Sequence, residues 1–344
     1  MERRQLITAS SLNSIANCGR EYYYRYVLGL RPIEDNINLR IGTAWHNAME
    51  ARWQGKPYEE SLEICVDKAA DLDEHTLASL SGLLAGYYQH YGAVTEPETL
   101  MIEQEFKYKI DGSLTFASAG KIDCLIRTGE KTFSLLEHKT TAEDISDSSF
   151  YWDRLRYNVQ LFQYILGVRS LGYTVDKIIY DVTRKPTIQP RQSVPKLDEH
   201  GLKIVQDEAG NRVFNANGAP RQTGDTKQGY TVLTAPETPE EYATRLFEDT
   251  KERPEFYFQR KEIAVLEQDI EVFQDERLEK CKQILHLQNR AKKVGDAAWT
   301  RNVTYFGCRI CAYNAFCLQG VAVDAGNPPP GFEIGQKHSE LSDN

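Results

Sequence analysis

Several things are missing from this sequence, and each absence narrows the possibilities. No apolar run approaches the ~20 residues needed to cross a bilayer. The start, Met1-Glu-Arg-Arg-Gln-Leu-Ile, has no signal-peptide hydrophobic stretch. A cytoplasmic protein without membrane contact is therefore expected, in a compartment that keeps thiols reduced. No Gly-x-x-x-x-Gly-Lys-Ser/Thr loop occurs, so the chain carries no P-loop motor of its own, and no internal repeat is visible. Net positive charge is lacking too, the balance being −9. That sign is awkward for a nucleic-acid partner but does not exclude one, because a local basic patch still binds phosphate. The first 31 residues hold five cations (Arg3, Arg4, Arg20, Arg25, Arg31) against Glu2 and Glu21.

What is present is ordinary for a soluble globular protein, with 41% hydrophobic and 26% charged residues in 344. Ser10-Ser-Leu-Asn-Ser-Ile-Ala reads as a capped helix start. A second helix follows Gly42 with Trp45, Ala48, Met49 and Trp53 on a buried stripe, and 58–92 reads as helical throughout. Residues 100–139 change to strand period. Within Lys121 to Arg127, Ile122, Cys124 and Ile126 should share one face, with Asp123 and Leu125 on the other. Thr128-Gly-Glu-Lys131 is a turn, so Thr132 to Lys139 should pair back as a hairpin. A buried helix is expected at 151–168 and a strand at 175–183. Residues 186–235, rich in Pro, Gly, Gln and Asn, read as an insertion with a hairpin around Gly210. Thr238-Pro-Glu-Glu opens another helix, and a helix at 267–294 leads into a cysteine cluster. The expected organisation is one domain over 1–320, comprising a helical part (1–98), a catalytic sheet and helix (99–185), the insertion (186–235) and C-terminal helices with the cysteine segment (236–320). A disordered tail over 321–344 follows.

The chemistry-bearing residues are scattered. Asp123 lies in Gly120-Lys-Ile-Asp, and Glu137-His-Lys139 lies on the next strand. Two carboxylates on neighbouring strands can share a hard divalent cation such as Mg²⁺ or Mn²⁺. Such an ion makes a hydroxide nucleophile and neutralises an attacked phosphate, and Lys139 would stabilise the added charge. Taken alone, either motif reads first as solvated surface charge. His46, in Gly42-Thr-Ala-Trp-His, is either a hydrogen-bonded core histidine or a third ligand. Tyr157, Gln160, Leu161 and Tyr164 fall on one face of the following helix, where Gln160 could position a water or phosphate oxygen with Tyr164 supporting it. Of seven cysteines, Cys65, Cys124 and Cys281 stand alone as packing residues. Cys18 and Cys308-x-x-Cys311-x5-Cys317 supply four thiolates, which suit Zn²⁺ or a [4Fe–4S] cluster.

The order of these pieces resembles the RecB-like branch of the PD-(D/E)XK nuclease superfamily, closest to its iron–sulfur members, the Cas4 family and the AddB-type nucleases. The resemblance spans about residues 7–183 and 254–318. It implies an α/β restriction-endonuclease-like core, a mixed α+β sheet flanked by helices. It also implies metal on His46, Asp123 and Glu137, with Lys139, Gln160 and Tyr164 catalytic or supporting. His138, between Glu137 and Lys139, receives no catalytic role. The resemblance favours the [4Fe–4S] cluster on Cys18, Cys308, Cys311 and Cys317 over structural zinc.

The implied function is a metal-dependent DNA exonuclease or end-processing enzyme of repair, recombination or phage DNA metabolism, phosphodiester hydrolysis being its reaction. Its DNA would be single-stranded or carry free ends, and a helicase or recombination or replication partner would do any unwinding. Tyr22, Tyr23, Tyr24 and Tyr26, interleaved with Arg20, Arg25 and Arg31, offer stacking faces and guanidiniums; Arg20, Tyr23 and Arg25 are the DNA-contact candidates, the other reading being tyrosines packed beside the cluster. Two alternatives remain: a catalytically silent nuclease-fold scaffold subunit, and a zinc-stabilised hydrolase acting on RNA.

Overall fold

The computed structural model describes residues 4–34, 36–92 and 98–341, apart from the side chain of Asp176. The chain opens with β1 (Gln5–Ile7), α1 (Ala9–Asn17) and α2 (Gly19–Tyr22), which runs into a π-helical turn, Tyr23–Leu28, and then β2 (Leu30–Pro32). Three helices follow, α3 (Ile37–Trp53), α4 (Tyr58–Lys68) and α5 (Glu74–Tyr91). The strands β3 (Glu98–Lys109), β4 (Phe116–Arg127) and β5 (Phe133–Thr141) precede α6 (Phe150–Arg156), α7 (Val159–Ser170) and β6 (Val175–Arg184). The insertion holds β7 (Val194–Pro195), β8 (Val205–Gln206), β9 (Thr231–Val232) and β10 (Thr234–Ala235). The rest is α8 (Pro239–Glu252), α9 (Pro254–Tyr257), β11 (Phe258–Ala264), α10 (Glu267–Val294), α11 (Tyr305–Ile310), α12 (Asn314–Cys317) and β12 (Phe332–Ile334).

Local chemistry sets these boundaries. Thr8 and Ser11 form a capping box that starts α1. Asp73 caps α5, so the expected continuous helix over 58–92 is two helices with a turn between them. The side chain of Asn158 accepts the Gln160 N–H and starts α7 afresh, dividing the expected 151–168 helix. Tyr157 therefore leaves the face it was expected to share with Gln160 and Tyr164, and it is exposed. Thr238, Pro239 and Glu241 open α8 as the sequence indicated.

The central sheet is mixed, as expected, with order β1-β4-β5-β6-β11 and β3 on the far edge of β4. β4 and β5 are antiparallel and β5 and β6 parallel. One face is covered by α1, α7 and α10 through Leu12, Ile15, Phe162, Ile165, Phe273 and Ile284, which meet Leu125, Leu135 and Ile178. The other carries the layer of α3, α4, α5 and α8, with Trp45, Met49, Leu84 and Leu246 at its centre. Each such side chain, fully buried, contributes about 1.5–3 kcal/mol. Among the described residues, no helix is long and apolar enough to cross a membrane.

The hairpin expected around Gly210 is present, whereas the C-terminal stretch departs from expectation. The insertion is a set of short antiparallel pairings, β7 with β10 and β8 with β9, and its Gly210 turn is closed by a bridge between Gln206 and Arg212. The stretch 321–341, expected to be disordered, is docked: β12 pairs with β2, and the Thr8 hydroxyl donates to Glu340 Oε1 at 2.5 Å. The sequence hides this because β12 is three residues long and its partner lies 300 positions away.

Candidate active site

β4 is the only strand of the described sheet with three partners. β3 pairs along nearly all of one edge. On the other edge β1 pairs with 116–118 and β5 with 124–127, which leaves a fork between Ser118 and Cys124. Buried polar side chains fill it. The fully buried Gln163 donates through Nε2 to the carbonyls of Ile7 (2.9 Å) and Ala119 (2.8 Å). At the opposite end, Asp123 Oδ2 accepts the backbone N–H of His138 at 2.8 Å. Both side chains answer backbone groups that the parted strands would otherwise leave unpaired.

The strand alternation expected for β4 fails at this point. Ile122 packs into the core beneath α7, whereas Cys124 and Ile126 pack on the opposite face with Trp53 and Leu136. β3 changes phase in step, since Phe106 belongs to the first cluster and Ile102 to the second. Between them sits Glu103, the one described non-glycine residue with a left-handed backbone, φ 49°. Pairing of Ile102 with Cys124 and Gln104 with Ile122 places Glu103 opposite Asp123. This kink leaves Asp123 reachable from both faces of the sheet.

From the α3 side, His46 Nδ1 comes within 3.5 Å of Asp123 Oδ2. A nitrogen of His46 and oxygens of Glu103 and Asp123 lie within 4.8 Å of one another, a spacing that one cation can span. Lys121 pairs with Glu103 beside them. From the α7 side, Lys139 Nζ donates to Glu137 Oε1 and Gln160 Oε1, each at 2.6 Å, and Gln160 Nε2 donates to the Tyr164 hydroxyl at 2.8 Å. His46, Asp123, Glu137, Lys139, Gln160 and Tyr164 thus converge on one fork. Glu137 is turned towards Lys139, and Glu103 takes its place in the set at ligand spacing.

Burial governs the ionisation here. It lifts the Asp123 carboxyl above its ordinary value, an effect that the neighbouring His138 and Lys139 side chains partly offset. Burial, then the charge of Asp123, pushes Glu137 up to about 7. Burial, then the neighbouring His138 and Lys139 side chains, pulls His46 down to about 4. At neutral pH its imidazole therefore keeps a free lone pair, as a metal ligand must.

Sequence reading missed two members of this constellation. Glu103 was detectable from the turn between Ile110 and Phe116, because a hairpin centred on Ser113 aligns 103 with 123. Gln163 left no signal, since its partners are backbone carbonyls from two distant strands. Behind the sheet, His138 Nδ1 faces Asp181 Oδ2 at 3.4 Å, and Asp181 also accepts from Tyr87 and from Arg260 (2.9 Å).

The first-segment residues serve packing in this structure. Arg20 is buried, bonded to Asp296 and to the Trp299 carbonyl. Tyr22 and Tyr23 both stack on Trp299, and Arg25 lies over the Tyr26 ring. Cys311 and Cys317 border an aromatic cluster of Tyr24, Tyr313 and Phe316. Burial pushes the Cys311 thiol up to about 11, with Cys18 and Cys317 near enough to add to the effect. Among the described residues no three cysteine sulfurs lie within 4.8 Å of one another.

A family model described as the PD-(D/E)XK nuclease superfamily matches residues 6–318. No curated protein matches the chain. Among solved structures, it is similar to SSO0001 (12% identity, 73% of this chain and 78% of that one, TM-score 0.25). It is also similar to a candidate exonuclease from Eubacterium rectale (12% identity, 73% and 79%, TM-score 0.35).

Proposed function

The chain belongs to the PD-(D/E)XK nuclease superfamily, and we propose that it is a divalent-metal-dependent phosphodiesterase that processes DNA ends. The observation that carries this reading is the reach of Asp123 to both faces of the sheet, with His46 and Glu103 at ligand spacing on one side and the Glu137–Lys139–Gln160 relay on the other. Two carboxylate oxygens with one neutral imidazole suit Mg²⁺ or Mn²⁺. A divalent ion held by His46, Asp123, Glu103 and Glu137 would polarise the phosphate and acidify a water. The chain's own groups do the remainder. Glu137 gives up its proton as the site fills, which frees its carboxylate. Lys139, held by Gln160, presents an ammonium to the charge that develops on phosphate. Tyr164 accepts from Gln160 and fixes that amide's orientation.

We assign Cys18, Cys308, Cys311 and Cys317 to a [4Fe–4S] cluster. The support for this assignment is the order and spacing of the four cysteines in the sequence, Cys18 and then Cys308-x-x-Cys311-x5-Cys317. With no P-loop in the sequence, any unwinding would come from a helicase or recombination partner or from thermal fraying of the ends.

An anaerobically prepared sample, given Mn²⁺ or Mg²⁺ with end-labelled single-stranded, duplex and circular DNA, tests the reading. Metal-dependent shortening of linear DNA that Lys139→Ala removes is expected. A sample that cuts none of these would overturn the enzymatic reading in favour of a nuclease-fold scaffold. The same sample should be brown, with absorbance near ~400 nm; a colourless, zinc-containing protein would overturn the cluster.

A further inference from the structure

We propose that α11 and the residues leading into it form a stacking platform for single-stranded DNA, centred on Tyr305 and Phe306. The identity of the polyanion rests on the nuclease reading; the surface itself does not. Tyr305, Phe306 and Ile310 are 73%, 77% and 85% exposed, an unusual concentration of large apolar groups on six residues of helix. The two rings meet edge to face at 5.2 Å, so each keeps a π-face open.

The segment is fastened at both ends. On one side Trp299 is buried against Tyr22 and Tyr23, and Asn302 Nδ2 donates to the Asn17 carbonyl at 2.8 Å. On the other, the Tyr313 hydroxyl donates to the Leu30 carbonyl at 2.9 Å. The aromatic pair is thus presented on a fixed element between two anchors.

Charge selects the occupant. No Asp or Glu occurs between Asp296 and Asp324 in a chain that carries 50 of them, while Arg301 and Arg309 lie exposed in that interval. Arg309 follows Tyr305 by one helical turn, which puts a cation beside the ring. Aromatic faces with a cation alongside, on a segment that itself contributes no acid, fit unstacked bases on a phosphate backbone. A duplex keeps its bases stacked on one another and offers these rings nothing.

The test is fluorescence anisotropy of a labelled oligonucleotide with the full-length, anaerobically prepared protein in Ca²⁺, which supports binding separately from hydrolysis. Tyr305→Ala/Phe306→Ala should weaken single-strand binding at least about tenfold, leave blunt-duplex binding within about twofold, and keep the salt dependence. Arg309→Gln should flatten the log–log salt slope by roughly 0.7. Phe306→Trp should retain affinity, and its added indole fluorescence should be quenched by the oligonucleotide. That readout decides the matter even where the double alanine variant fails to fold. Unchanged single-strand affinity in the alanine variant, or an indole blind to DNA, overturns the proposal. So does a wild-type dimer that the alanine variant dissociates without any effect on DNA. A wild type that binds through these rings yet cuts nothing in Mn²⁺ would instead remove the nuclease reading and leave the platform standing.

Discussion

Asp123 Oδ2 accepts the backbone N–H of His138 where β4 and β5 part, at 2.8 Å. One carboxylate thereby closes the sheet fork and faces the candidate cation position. The two roles separate by substitution. Asn keeps an oxygen for the His138 N–H and loses the charge, so Asp123→Asn should fold as the wild type does. Its metal-dependent turnover should fall by about 10²–10⁴-fold, with Mn²⁺ binding lost in a calorimetric titration. Turnover within tenfold of wild type would remove Asp123 from the site.

Glu137 makes the metal-free protein pH-sensitive. Its folded pKa, about 7, stands above the ordinary 4.5, because burial and the Asp123 charge disfavour the carboxylate. The native state thus binds a proton that the unfolded chain has released, so this contribution is complete below about pH 4.5 and is lost as pH rises to about 7. Thermal unfolding in EDTA should show the decline across that window, and Glu137→Gln should flatten it. Mn²⁺ should reverse the trend, its affinity rising up to about tenfold per pH unit below 7 as the competing proton leaves. Equal melting temperatures for wild type at pH 5 and pH 7.5 in EDTA would contradict the assignment.

These two residues also mark how far the sequence could be read. The Gly-x-x-Asp and Glu-x-Lys strands, their hairpin and the helix carrying Gln160 and Tyr164 follow from period-two patterning, a Thr-Gly turn and helical spacing, all local signals. The change of face at Asp123 does not. It depends on a left-handed Glu103 and on a fork produced by β1 and β5 sharing one edge of β4, where β1 comes from more than 100 positions away. Tyr23 and Arg20 pack against Trp299 and Asp296, contacts that nothing local in the sequence announced. The docking of β12 on β2 was hidden for the same reason.

The glycine of Gly-x-x-Asp has a packing reason. A Cβ on Gly120 would stand 2.6 Å from the Phe106 ring and 3.1 Å from the Tyr164 ring, and one on Gly167 would stand 2.5 Å from Phe106. Phe106 is wedged between Gly120 of β4 and Gly167 of α7. Gly167→Ala should cost about 1–3 kcal/mol through overpacking, lower the melting temperature by a few degrees, and reduce turnover by shifting Gln160 and Tyr164 on α7. Phe106→Leu in the same chain should recover part of the stability. Gly167→Ala as stable as wild type would show that α7 is free to move away.

The buried charges behind the sheet give the last prediction. Burial alone would raise the Asp181 carboxyl, yet Arg260, His138 and Tyr87 outweigh it and hold the group below its ordinary range. Arg260 is the partner that keeps its charge at every working pH. Arg260→Met removes it and strands an ionised carboxylate in the interior, which costs about 3–5 kcal/mol. Arg260→Met/Asp181→Asn removes the stranded charge as well and should regain most of that loss, a coupling that denaturant titration of the four-member cycle measures. Because Asp181 faces the His138 ring, and the His138 N–H holds Asp123, the single variant should also weaken Mn²⁺ binding while the double variant restores it. Additive stability changes would mean that Asp181 and Arg260 do not interact. Restored stability without restored Mn²⁺ affinity would confine the network to structural support and sever the path through His138.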